Sequence, residues 1–140
     1  MKLIPALSAV VLSGLALAGL VSAPAASADG DTEPPYVERV TWVSYDGLPT
    51  LRVYPTWAGR DVADDIGKTD AQTDEAWREV LVLAPNADTP GMRSQFLCHW
   101  HFAEFAQPGK TSWDLEPWRP PVDTSSMLLA GCNPGGPEKG

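Results

Sequence analysis

Cysteine is scarce in this chain: 140 residues hold two, Cys98 and Cys132. That excludes a Cys-rich zinc or iron–sulfur framework and leaves room for one disulfide. Histidine is as scarce, and both copies, His99 and His101, fall in one short stretch. Basic residues are outnumbered, ten Lys and Arg against eighteen Asp and Glu. With no basic run among them, nucleic acid and anionic membrane surfaces are poor partners. The sequence has no G-x-S-x-G, no phosphate-cradling glycine loop and no H-E-x-x-H, so no motif announces a reaction class. After residue 20 no apolar run is long enough to span a bilayer.

What is present begins with an address. Lys2 supplies a positive charge, residues 3–20 are apolar or small, and Ala26-Ser27-Ala28 forms an A-x-A cleavage site. This is the layout of a secretory signal peptide over residues 1–28, cut between Ala28 and Asp29. Pro5 and the interspersed Gly and Ser argue against the rival reading, a retained transmembrane helix. Residues 29–35 read as a disordered leader, 36–134 as a single secreted domain and 135–140 as a loose tail. The mature chain keeps nine Lys and Arg against eighteen Asp and Glu, a net charge of −9. Outside the cytoplasm the two cysteines are expected to pair, closing a loop of about 35 residues worth about 3.5–4 kcal/mol in a chain-entropy estimate. A catalytic Cys98 would need both thiols free, so the bridge is read as structural.

Along the mature chain the periodicity changes repeatedly. Residues 36–44 alternate around Val40 and Trp42, Asp46-Gly47 signals a turn, and Leu51, Val53 and Pro55 alternate again: a β-hairpin. Residues 59–69 read as polar and irregular. Trp77, Val80, Leu81 and Ala84 then form one helical stripe, capped by Thr73 or Asp70 and stopped by Pro85. Residues 92–95 read as a short helical turn. Phe96, Cys98, Trp100 and Phe102 alternate with their neighbours, which predicts a third strand with an aromatic inward face. Residues 111–116 predict a short fourth strand, and Pro117, Pro120 and Pro121 hold the next segment extended at an edge. Asp123 or Thr124 is placed to cap a last helix that Gly131 ends in a left-handed conformation. The sum is a small α+β domain: an antiparallel sheet with two helices packed on it and one disulfide.

Three constellations carry potential chemistry. On a strand, His99 and His101 would share a face at a spacing some zinc sites use, but a third ligand, Glu104 or a distant Asp, would be required. No further motif supports it, so neither a metal nor another cofactor is expected. Asp114 and Glu116 would likewise share a face, as paired carboxylates do in glycoside hydrolysis. The simpler account is a solvated pair in which Arg119 neutralises Glu116. Trp113 and Trp118 flank the proline-rich edge, where an exposed indole beside carboxylates and an Arg suits stacking on a sugar ring or a proline-rich peptide. The plainer alternative is that these indoles fill a core short of aliphatic residues.

Gln95-Phe96-x-Cys98-His99, Lys110-x-x-Trp113-Asp114-Leu115-Glu116-Pro117-Trp118-Arg119-Pro120 and Cys132-Asn133-Pro134 together resemble a family of small secreted proteins. Its members occur in high-G+C Gram-positive bacteria and form a domain of unknown function. Ala76-Trp77-x-Glu79 and Asp88-Thr89-Pro90-Gly91-Met92 fit as well, so the resemblance covers roughly residues 36–134. Where the family carries Asn in W-N-L-E-P, this chain has Asp114. The family motif includes His99 but not His101, which weakens the two-histidine metal reading. The resemblance implies export and the disulfide, and points any site toward Gln95, His99, Glu116 and Arg119.

The expectation is a monomeric extracellular module that binds an unknown cell-envelope or extracellular ligand through Gln95, His99, Trp113, Glu116, Trp118 and Arg119. The alternative is a hydrolase of cell-wall polymers using His99 and a carboxylate, Glu116 or Asp114. Export is directly testable: N-terminal sequencing of the protein from culture medium should begin at Asp29, and a full-length chain that pellets with membranes would refute the signal peptide.

Overall fold

A nine-residue strand, β1 (Val37–Tyr45), turns through Asp46 and Gly47 into β2 (Leu48–Pro55). Both turn residues have positive φ, the conformation that a tight hairpin turn favours and that Asp-Gly supplies cheaply. The structure, a computed structural model, describes Gly19 and residues 32–138. Apart from Gly19, the predicted signal peptide therefore lies outside the described residues, as do residues 29–31 of the leader and 139–140 of the tail. A short strand, β3 (Trp113–Leu115), pairs antiparallel with β2, so the sheet runs β1-β2-β3.

Four helices accompany it: α1 (Trp57–Asp64), α2 (Asp70–Leu83), α3 (Pro90–Ala106) and α4 (Thr124–Leu129), with a 3₁₀ turn at Pro85–Ala87. The α+β class and the hairpin agree with the sequence reading, and so does the last helix. Asp123 caps α4, and Gly131 follows it at φ 57°. Three expectations need correction. Most of α1 falls in the stretch read as irregular from residue 59; the helix is capped by Thr56, whose hydroxyl accepts from Gly59 N–H. Gly59 stands in the first turn of the helix because a Cβ there would collide with the Tyr36 carbonyl. The cap of α2 is Thr69, not Thr73 or Asp70. It forms a reciprocal capping box with Gln72.

The third correction is the largest. Residues 96–103, read as a strand, lie inside α3. Thr89 caps this 17-residue helix and Pro90 occupies its first turn, a start signal that outweighs the accidental alternation of aromatics. His99 and His101 therefore project from different sides of a helix. His99 is buried and His101 exposed.

The core lies between the helices and the inner sheet face. Leu51, Val53, Trp113 and Leu115 meet Val62, Ala76, Trp77, Val80, Met92, Phe96 and Trp100. Phe96, Trp100 and Trp113 form a ring cluster with centroids 6.0–6.3 Å apart, within the range where aromatic pairs add to burial. Trp100 donates its indole N–H to Thr73 Oγ1 at 2.9 Å. Glu79, on α2, accepts from the N–H groups of Tyr36 and Val37 at 2.7 Å each and so fixes the start of β1.

The ends of the domain are tied as well. Pro35 O accepts from the Thr56 hydroxyl, and Thr32 O from the Tyr36 hydroxyl. Residues 135–138, expected as part of a loose tail, carry hydrogen bonds from Arg119 and an ion pair between Glu138 and Lys110. Cys98 and Cys132 are bridged, joining α3 to the residue after Gly131 at the end of α4. Removing either cysteine (Cys98→Ser or Cys132→Ser) should cost about 2–5 kcal/mol in denaturant unfolding, and the double variant little more than either. Two freely titrating thiols in the native protein would refute this.

Candidate functional site

The residues that the motif brings to notice do converge, but inside the fold. On α3, Gln95 and His99 are four residues apart and therefore one above the other. Both face the outer edge of β3. The Gln95 side-chain amide donates to Glu116 O and accepts from Glu116 N–H, each at 2.8 Å. His99 Nε2 lies 3.1 Å from Asp114 O. A carbonyl only accepts, so Nε2 carries the proton. The two side chains thus play the part of a neighbouring strand, and Gln95 and His99 are 1% and 3% exposed.

The carboxylates belong to the same framework. Glu116 and Arg119, both fully buried side chains, form an ion pair. Arg119 also donates to the carbonyls of Pro134, Gly136 and Pro137 at 3.0, 2.6 and 3.3 Å, and its guanidinium lies 4.5 Å from the Trp118 ring. Asp114 accepts from the Ser112 hydroxyl at 2.8 Å and approaches Arg52 at 3.6 Å. Burial pushes the carboxyls of Glu116 and Asp114 up, and the bond from Arg119 and that from Ser112 offset this only in part. The expected display of Glu116 and Arg119 on an extended edge is therefore corrected: the pair is interior. Trp113 is fully buried and Trp118 partly so. Among the described residues no three His, Cys, Asp or Glu side chains converge to hold a metal ion.

An accessible aromatic site lies elsewhere. Between Val37 and Arg39 the β1–β2 register slips by one residue, a bulge centred on Glu38. Bulges re-aim a side chain, and this one brings Glu38 to a groove of about 470 Å³ shared with Tyr54, Thr56, Trp57, Arg60 and Thr111. Trp57, the first residue of α1, is 79% exposed at its mouth. The Tyr54 ring is held from one side by the Arg39 guanidinium, 3.5 Å from its centroid. Arg60 is anchored to Glu104 and to Lys110 O at 2.6 Å each, which leaves Glu38 without an ion-pair partner among the described residues. Sequence reasoning passed over Trp57 because α1 was unrecognised. The Thr56 cap was the available signal, since it makes Trp57 the leading residue of a helix.

This architecture defines a small disulfide-bonded α+β domain with a helix-sealed sheet edge. The chain belongs to a family of proteins of unknown function, DUF2599, matched over residues 37–135, from the start of β1 to just beyond Pro134. It is 49% identical to an uncharacterized protein of Mycobacterium tuberculosis over 93% of this chain and 96% of the relative. A Mycobacterium bovis protein, also uncharacterized, is similar to the same extent. An uncharacterized Mycobacterium leprae protein is 48% identical over 72% of this chain and 80% of its own. No solved structure matches the chain.

The environment of His99 has a measurable consequence. Burial, reinforced by the nearby Lys110 charge, lowers its pKa to about 4 from 6.5. The folded state resists a proton that the unfolded chain accepts, so stability falls as pH drops from about 6.5 to 4 and levels off below that. The buried carboxyls, shifted upward, act in the opposite sense. Comparison with His99→Gln, which keeps a donor for Asp114 O, removes their contribution. Wild type should lose about 3 kcal/mol relative to His99→Gln between pH 6.5 and 4 in urea unfolding. Parallel pH profiles would show that His99 is not buried in the neutral form.

Proposed function

We propose that this protein is an extracellular binding module, and that its ligand is a cell-envelope saccharide held in the groove of Glu38, Tyr54 and Trp57. One observation carries the reading: an indole exposed to 79% beside a groove that also offers a phenol ring and a carboxylate without an ion-pair partner among the described residues. Exposed aromatic planes stack on the apolar faces of sugar rings, and a carboxylate accepts from sugar hydroxyls. The groove is assembled on a strand end and a helix start, so little ordering entropy remains to be lost on binding. The disulfide supports an oxidising, extracellular setting.

The hydrolase reading is the weaker one. His99 is 3% exposed beneath a cavity of about 200 Å³ and donates to a backbone carbonyl, while Glu116 and Asp114 are buried and do not line that cavity, so no carboxylate stands beside it to share acid–base work. The test is binding to insoluble envelope polysaccharide fractions, with Trp57→Ala against Phe105→Ala, a second exposed aromatic on another surface. Trp57→Ala should weaken binding at least about tenfold while changing stability by less than about 0.5 kcal/mol. Phe105→Ala should leave binding unchanged, and no reducing ends should be released. Equal binding by wild type and Trp57→Ala would overturn the proposal.

A further inference from the structure

His99 has one ring nitrogen that the fold does not use. Nε2 donates to Asp114 O, which leaves Nδ1 as a bare acceptor. Nothing among the described residues donates to Nδ1, yet it is not sealed off as the unbonded Trp113 Nε1 is. It opens on the cavity of about 200 Å³ that His99 lines. Burial and the Lys110 charge hold the imidazole neutral at physiological pH, so this lone pair persists. The cavity wall is apolar: Phe102, Ala103 and Ala106 continue the His99 stripe along α3, and Leu128 of α4 completes it. Lys110 is the one cation among the lining residues. Its ammonium holds both carboxylate oxygens of Glu138 at 2.9 Å. Glu138 itself does not line the cavity, and its carboxylate makes no other bond among the described residues. Arg119 ties residues 134–137 by their backbone carbonyls, so the Glu138 side chain can leave Lys110 without releasing them.

We infer that this cavity is a second ligand site, for a small carboxylic acid whose apolar body carries a hydroxyl group. The carboxylate takes Lys110 in place of Glu138, the body packs against Phe102 and Leu128, and the hydroxyl donates to His99 Nδ1. Each part of the ligand answers a group already in place. The chain's own carboxylate marks Lys110 as a position that accepts an acid. Exchange there costs little, because an ion pair as exposed as this one is weakly held. Phe102 and Leu128 are both left exposed, so covering them is favourable. An unmet acceptor on a side chain this buried calls for a donor. Size narrows the class further. An apolar cavity of about 150 Å³ takes benzene. At about 200 Å³ this one suits a single ring or branched chain with its substituents, and neither a disaccharide nor a lipid tail. A neutral sugar has hydroxyls but no carboxylate, which separates this site from the groove at Trp57.

Benzoate and its ortho, meta and para hydroxy isomers are the probes, titrated calorimetrically into the mature protein at neutral pH. At least one isomer should bind with a Kd below about 1 mM and at least about tenfold more tightly than benzoate, which has no donor for Nδ1. In ¹⁵N-labelled protein the His99 Nδ1 resonance should move further with that isomer than with benzoate. Lys110→Gln should weaken binding at least about tenfold. Glu138→Gln removes the competing carboxylate and should strengthen binding about two- to tenfold, a gain that a purely structural ion pair would not give. Both side chains are partly exposed, and an unchanged circular dichroism spectrum shows that each variant is folded. Absence of binding at about 10 mM of every isomer, in wild type and in Glu138→Gln, would overturn the inference. Equal binding of benzoate and all its isomers would also overturn it, since His99 would then contribute nothing. Binding indifferent to Lys110→Gln would mean an adventitious additive only.

Discussion

Two side chains one turn apart on α3 complete the hydrogen bonding of β3, and most of the domain depends on that join. A three-residue strand has too few ladder bonds to hold its own position. Here Gln95 and His99 add three more on its far side, one at Asp114 and two at Glu116, the residue that follows the strand. Because β3 is fixed between β2 and α3, Trp113 and Leu115 are presented to the aromatic core. The residues that alternate with them, Asp114 and Glu116, carry the polar network behind it. Losing an amide or imidazole from this seam would leave buried backbone groups unpaired, a cost of about 1–3 kcal/mol each.

That polar network is bound by the costs of burying charge. Isolated, a buried carboxylate or guanidinium would be prohibitive; together, with further hydrogen bonds, the cost is largely offset. Glu116 therefore needs Arg119, and Arg119 uses its remaining donors on carbonyls of residues 134–137. The L-E-P-W-R-P run is a folding device in which the proline-rich turn brings acid and base together three residues apart. A functional reading of the same residues is tempting because catalytic sites also bury charges in pairs. The distinguishing feature is access, and these groups have none.

Much of the fold was legible in the sequence where local patterns and local causes coincide. The hairpin was, because period-two alternation flanks Asp46-Gly47. So were α2 and α4, because a single apolar stripe or a cap and a left-handed glycine mark their limits. Helix α3 was not. It is buried on several sides, by the aromatic core, by the β3 edge and by the disulfide, so its apolar residues lie nearly all round and the amphipathic stripe disappears. Helix α1 was hidden because it is short and buries small residues, Ala58, Gly59 and Ala63. The candidate site shows the same limit. Gln95, His99, Glu116 and Arg119 lie close together in the fold, but whether such a group is interior depends on contacts across 15 or more residues. Trp57 and Glu38 meet only through a bulge that no local pattern announces.

The downstream position of Arg119's partners bears on when the domain can close. Cys132 and the carbonyls of Pro134, Gly136 and Pro137 follow every strand and helix in the chain. A polypeptide emerging N-terminus first can form its hairpin and α2 early. It cannot neutralise the Glu116 neighbourhood or bridge α3 until those residues have appeared. Closure of the domain thus waits on its last residues.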